Sequence, residues 1–317
     1  MYTMVYDIEA GAYRIGMLDT VKIHKSVELL ADTAVITLPA SEYNRALDVE
    51  SKLRRGDAVV IRLGYAETGI REEFRGYLQR IGTDNGNITL ECEDDLFKFR
   101  VSLDNREFEN VALEELLEYI VKGVGGGYRV DSSYSWRYEK FVISNATGYD
   151  VLKKIQEECG ADIYLEGNTL HIHAPGEKVG NNLLYDFSLN VEACDLTYRK
   201  AEDRKVRVVV KALMPDGTVK EREYGTTGGN KVEIQSAGTD DDSMRSRGES
   251  ELKRLSFDGY DGTITTWMIP CCQPGDAAEL HDRDYTYKDG RYYIRSVTTE
   301  FGKDGGKRIL ELGFRLT

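Results

Sequence analysis

Apolar and polar residues alternate with a period of two between Leu53 and Phe99. Val59, Ile61 and Leu63 alternate with Val60, Arg62 and Gly64, just after a turn signal at Arg54-Arg55-Gly56-Asp57. Glu73 to Ile81 alternates again. Across the turn residues Thr83-Asp84-Asn85-Gly86-Asn87, Ile88, Leu90 and Cys92 then alternate with Thr89, Glu91 and Glu93. The pattern predicts four short strands joined by polar turns, the mark of a small antiparallel barrel or sandwich.

The same order of signals returns near the C-terminus. Pro274-Gly275-Asp276-Ala277 matches Arg55-Gly56-Asp57-Ala58, and Gly290 to Val297 matches Phe74 to Ile81. Gly305 to Leu312 stands where Gly86 to Glu91 stands in the first copy. Two similar β modules at opposite ends of one chain are therefore expected.

The first module extends upstream. Val21, Ile23 and Val27 alternate with Lys22, His24 and Ser26, and Thr33 to Leu38 is a second strand stopped by Pro39. Ser41 to Val49 reads as a polar connection with room for one helical turn. After Arg100 the period changes. Leu113, Leu116, Leu117, Ile120 and Val121 share one face of a predicted helix from Val111 to Lys122, ended by Gly123 and Gly125-Gly126-Gly127. Short strands follow at Tyr128 to Val130 and Tyr138 to Ser144. Thr147 and Asp150 then form a capping-box pair for a second helix with Val151, Leu152, Ile155 and Cys159 on its buried face. Asp162 to His173 is a hairpin across Gly167-Asn168.

From Leu196 the chain returns to strands. Lys205 to Lys211 is expected to pair with Val219 to Tyr224 across Pro215-Asp216-Gly217. A third helix, about Asp241 to Phe257, starts among carboxylates and ends at Lys253-Arg254, as the helix dipole favours. Strand Thr263 to Met268 leads into the second module. The expected organisation is mainly β with an α+β middle: residues 1–99 as the first barrel-like module, 100–193 as a small α+β domain, and 194–317 as the second module with one inserted helix.

At 317 residues, 41% hydrophobic and 31% charged, the chain can bury several cores. No apolar run is long enough for a membrane helix, and the first residues lack the basic start and apolar core of a secretory signal. The 42 Lys and Arg against 55 Asp and Glu give a net charge of −13, which disfavours binding to nucleic acid or to anionic lipid. Cys92, Cys159, Cys194, Cys271 and Cys272 are odd in number and contain no CxxC, so they read as free thiols in a reducing compartment.

Chemistry-bearing motifs are few. Gly123 to Gly127 follows a helix, lacks a following Lys-Ser/Thr and so fails as a phosphate loop. His171 and His173 face the same side of one strand, but a zinc site needs a third ligand and no spacing ties them to His24 or His281, so they are read as two solvated strand histidines and no metal is expected. Nucleophile motifs of the Gly-x-Ser-x-Gly type are absent. Glu91, Glu93, Asp94 and Asp95 are read as an exposed strand end, and Asp240 to Asp242 as a helix cap. Twenty tyrosines fit strand propensity, and they leave open a glycan-stacking groove in a carbohydrate-binding or glycan-cleaving β protein.

The ordered set of motifs resembles the late control protein D group of bacteriophage baseplate hubs. The carriers are Gly56-Asp57 with Val59, Ile61, Leu63, Gly64 and Tyr65; Phe74, Gly76, Tyr77, Leu78 and Ile81; and Leu90 to Asp94. They continue with Leu113, Leu116 and Leu117, Phe141 to Thr147, and Tyr164 to Leu170. Gly259 to Pro270, Gly275-Asp276 and Gly290 to Val297 complete the set, so the resemblance spans nearly the whole chain. It implies a non-enzymatic virion protein without a cofactor, whose three copies form a homotrimeric ring between the sixfold tail tube and the threefold central spike. Two similar barrels per copy would give that ring pseudo-sixfold symmetry. The implied partners are the tail spike or needle protein and the tail tube or distal tail protein. DNA would pass through the channel without sequence-specific binding, and this chain would not insert into membranes. The implied place is the tail baseplate, assembled in the bacterial cytoplasm, with no appended lysozyme or spike domain. The hub of a type VI secretion spike or other contractile injection particle is similar, and a host-derived adaptor built on the same barrels is a further alternative.

Overall fold

The computed structural model describes residues 2–39, 52–84 and 86–316. The connection read at Ser41 to Val49 lies outside the described residues. So does Asn85 in the predicted hairpin turn.

The first module contains β1 (Met4–Ala10), β2 (Tyr13–Arg14), β3 (Thr20–Ser26), β4 (Thr33–Leu38), β5 (Ala58–Tyr65), β6 (Gly69–Asp84) and β7 (Asn87–Glu93). Leu53 to Phe99 thus holds three strands, not four. β6 is continuous over 16 residues, with register shifts between Ile61 and Arg62 of β5 and between Leu78 and Arg80 of β6. Such bulges break strict alternation without ending the strand. Asp95–Phe99 is a 3-10 turn capped by Asp94, whose side chain accepts from the Leu96 amide.

The middle region contains β8 (Arg106–Ala112), α1 (Leu113–Val124), β9 (Arg129–Ser132), β10 (Arg137–Ile143), α2 (Gly148–Cys159), β11 (Asp162–Glu166) and β12 (Thr169–His173). Val111 and Ala112 end a strand instead of starting the helix. Val111 is buried in the same core that receives the α1 face, so its apolarity fits either element. The Thr147–Asp150 capping box forms as expected, and Gly160 ends α2 in the left-handed conformation. Beyond the predicted β11–β12 hairpin, β12 pairs in parallel with β9.

The last part contains β13 (Asn182–Asp186), β14 (Val191–Arg199), β15 (Val206–Leu213), β16 (Val219–Gly225), β17 (Asn230–Ser236), α3 (Asp241–Leu255), β18 (Gly259–Trp267), β19 (Ala277–His281), β20 (Gly290–Gly302) and β21 (Gly305–Leu316). The expected β15–β16 pair is joined by β17, parallel to β15, and α3 packs on the resulting sheet. The insertion is therefore a three-stranded sheet with a helix and its own small core around Val208, Val210 and Met244.

The two end modules share one strand order. The first runs β1-β5-β6-β7-β4-β3, and the second runs β13-β19-β20-β21-β18-β14. The correspondence reaches the turns. Gly56 and Gly275 sit at φ +93° and +91°, where glycine carries no Cβ penalty. The Asp57 carboxylate accepts from the Arg54 amide at 2.8 Å, and the Asp276 carboxylate from the Gln273 amide at 2.8 Å. Gly56 N donates to Leu78 O and Gly275 N to Ile294 O, both at 2.8 Å. Two departures separate the copies. β1 runs antiparallel to β5, whereas β13 runs parallel to β19, and the β14–β18 connection carries the insertion.

Neither module closes into a complete barrel among the described residues. β3 pairs instead with β20, so thirteen strands from both modules form one continuous sheet. The first module curls around Ile8, Ile23, Ile36, Ile61, Leu78 and Leu90, and Met268 and Phe301 from the second module fill the open side of that core. Leaving those apolar surfaces wet would cost about 25 cal/mol per Å², which is why the curl ends against a neighbour. The second module has its own core around Tyr185, Ile264, Tyr292 and Leu310. Among the described residues no helix is long and apolar enough to cross a membrane.

Candidate assembly surfaces and central cleft

The two modules and the middle domain meet at a cleft of about 690 Å³. Lys25, Asp32 and Glu73 line it from the first module, Tyr164 and His171 from the middle, and Asp276 from the second. At its floor the β3–β4 turn and the end of β7 place two carboxyl groups together. Asp32 N donates to Asp94 Oδ2 at 3.0 Å, Asp94 N donates to the Asp32 carbonyl at 3.0 Å, and Leu96 N donates to Asp94 Oδ1 at 2.9 Å. Burial pushes Asp32 up to about 6, against an ordinary value of 3.8, with Lys25 opposing. Burial, and then the charge of Asp32, push Asp94 well above the ordinary range.

A carboxyl whose folded pKa is raised holds its proton more tightly in the folded state. Its contribution to stability is therefore complete below about pH 4 and is lost as pH rises through about 6. Asp32→Asn removes that loss. The stability of Asp32→Asn relative to the wild type should grow steadily from pH 4 to pH 7 in urea unfolding, and a gap that stays constant with pH would contradict the assignment.

A buried ion pair crosses the seam between modules. Arg308 of β21 donates to Glu73 Oε1 of β6 at 2.6 Å, to the Pro270 carbonyl at 3.0 Å and to the Met268 carbonyl. Arg308 is 1% exposed and Glu73 4%, so the pair is screened little by water. Nearby, Tyr65 Oη donates to the Gly306 carbonyl at 3.2 Å. All five cysteines are free. Burial pushes the Cys92 and Cys159 thiols up to about 12 and Cys272 up to about 11, so these three are protonated packing groups at neutral pH.

The structure disperses most of the residues that the sequence singled out. Glu91 pairs with Arg80, Glu93 with Arg100, and Asp95 with Lys98. Asp240 caps α3, Asp241 bonds Arg222 and Lys220, and Asp242 bonds Arg245. Around Gly126 and Gly127 the Asn168 amide donates to both carbonyls, so its side chain occupies that loop. His24 contacts Thr298, and His281 lies 3.5 Å from Asp289. His171 and His173 do share a face, and the parallel β9–β12 pairing brings Asp131 opposite His171. Asp131 Oδ2 lies 3.1 Å from His171 Nδ1 and 3.4 Å from His173 Nε2. Sequence reasoning missed Asp131, because nothing local announces a parallel pair between strands separated by two other strands and a helix.

An exposed apolar band runs along the other candidate surface. Tyr2 packs on Tyr65 at 4.9 Å and edge-on to Trp267 at 5.8 Å, with Tyr2 and Trp267 both more than two-fifths exposed. Trp267 N donates to the Asn190 carbonyl, so the backbone of Trp267 lies beside the turn that carries Leu189, itself 70% exposed. Beyond that turn Lys288 bridges Phe187 and Tyr285 at 4.6 and 4.8 Å, and Tyr287, 68% exposed, packs against Tyr285. A band of aromatic groups contributed by both modules is the kind of surface that protein partners cover.

No protein-family model and no curated protein matches the chain. Solved structures do match it over nearly its full length. The 43 kDa tail protein of prophage MuSo2 from Shewanella oneidensis is 17% identical, with 98% of each chain covered and a TM-score of 0.69. A tail protein from Neisseria meningitidis is 16% identical, covers 99% of this chain and 97% of its own, and has a TM-score of 0.67. An Escherichia coli type VI secretion component, described as similar to bacteriophage T4 tail proteins, is 9% identical, with 98% and 79% covered and a TM-score of 0.61. At these identities the likeness establishes the fold alone, a mainly β fold held in common with these tail proteins.

Proposed function

We propose, from a fold held in common with prophage tail proteins over nearly its whole length, that this chain is a structural hub of a phage tail or related injection particle. In this reading three copies close a ring at the distal end of the tail tube, the two β modules of each copy alternate around it, and the central spike docks below. The observation that carries the reading is the repeated strand order with matched Gly56-Asp57 and Gly275-Asp276 turns. A ring of three such chains presents six similar modules, which reconciles a sixfold tube with a threefold spike. The continuous sheet through β3 and β20 and the Arg308–Glu73 pair support it, because they fix the angle between modules that such a ring requires. The division into modules belongs to the same proposal, with the second boundary moved: β13 (Asn182–Asp186) and β14 pair strands of the second module, so that module is taken to begin at Asn182 and not at 194.

No catalytic step is part of this role. Cell-wall cleavage and membrane piercing are assigned to partners, and the net charge of −13 suits a channel wall that DNA passes without holding. The exposed apolar surface of Tyr2, Trp267, Leu189 and Tyr287 is where we place contact with the neighbouring copy. The test is the copy number in the assembled ring. Three supports the reading, whereas two or a permanently single chain counts against it.

A further inference from the structure

We propose that Asp131, His171 and His173 form a binding site for a first-row divalent cation of the zinc type, a role separate from ring assembly. Zinc takes imidazole nitrogen and carboxylate oxygen at 2.0–2.2 Å, so a tetrahedral ion holds neighbouring ligand atoms about 3.3–3.4 Å apart. Asp131 Oδ2 stands 3.1 Å from His171 Nδ1 and 3.4 Å from His173 Nε2, close to that spacing, and the ligand atoms of all three side chains lie within 4.8 Å of one another. Two imidazoles and one carboxylate match the donor set of open zinc sites.

The independent sign of a missing partner is on His173. Its side chain is 2% exposed, and among the described residues its Nε2 makes no hydrogen bond although it faces the Asp131 carboxylate. Its other nitrogen is already used: Nδ1 lies 2.7 Å from Ser133 Oγ. When Nδ1–H donates to that hydroxyl, Nε2 presents a lone pair to a carboxylate oxygen, two acceptors with nothing between them. A cation placed between them resolves this, and the Ser133 contact then sets the tautomer as outer partners of metal-bound histidines do.

The other groups fit the same arrangement. Tyr164 stacks on His171 at 5.0 Å and 14°, holding the ring plane, and Glu166 lies 3.7 Å from His171 Nε2, a charge contact beyond hydrogen-bond distance. Lys178 Nζ lies 3.4 Å from the same Asp131 oxygen and stands in for the cation. Its side chain is half exposed, so it can leave for water when an ion enters. A bound ion would tie β9 to β12 at the wall of the central cleft.

The full-length chain, stripped with a chelator, is titrated with Zn2+ alone by calorimetry, and with Co2+ by visible absorption to read the coordination geometry. One equivalent should bind to the wild type. Asp131→Asn and His171→Gln, at partly exposed positions whose folding is checked by thermal melting, should each weaken binding by about tenfold or more. Lys178→Ala should bind more tightly, since a competing charge is gone. A wild type that takes up no equivalent, Asp131→Asn and His171→Gln chains that bind as the wild type does, or a Lys178→Ala chain of unaltered affinity would each overturn the proposal.

Discussion

Replacing Arg308 by methionine should destabilise the folded chain by about 3–5 kcal/mol, the cost of leaving one member of a buried ion pair without the other. Glu73 would remain 4% exposed with its one strong partner gone, and the Met268 and Pro270 carbonyls would lose their shared donor. The site lies where the second module closes the open side of the first, so the damage should reach both modules. The informative comparison is the double variant Arg308→Met with Glu73→Met. Removing both charges avoids an uncompensated buried carboxylate and should recover most of the loss. Chemical unfolding of the wild type, both single variants and the double variant completes a cycle. Additive losses would show that the pair does not act as a unit across the seam.

Trp267→Ser should leave the chain folded and disable its assembly. The side chain is 43% exposed, belongs to none of the hydrophobic cores and meets Tyr2 edge-on, so little core is lost. Aromatic anchors near the centre of an interface cost about 2 kcal/mol or more when truncated, at least about thirtyfold in association. Sedimentation should therefore show smaller species for Trp267→Ser at concentrations where the wild type is assembled, with an unchanged melting temperature. Tyr287→Ser, at the far end of the same band, should act in the same direction but less strongly. Assembly equal to that of the wild type in both variants would remove this surface from the ring contact.

Local signals carried much of the fold into view. The Thr147–Asp150 capping box and the Gly167-Asn168 hairpin are decided by neighbours a few residues away, and they stand as the sequence implies. The echo between Gly56-Asp57 and Gly275-Asp276 was readable because each turn needs a left-handed glycine and a carboxylate that caps its own loop. Long-range pairings were hidden. β13 joins β19 in parallel across about ninety residues, and β3 meets β20 across about 270. Neither strand's own pattern names its partner. Alternation also concealed the true length of β6, whose bulges shift side chains from one face to the other. The same limit applies to the metal-site residues. His171 and His173 announce themselves two apart, whereas Asp131 joins them only through a parallel register.

Light scattering of the purified chain across a wide concentration range distinguishes a closed ring of three from a single chain or a pair. Closure of three 35.8 kDa chains predicts a species of about 107 kDa that persists on dilution. A mass that stays at one chain, or settles at a stable pair, would contradict a threefold ring built from two modules per copy.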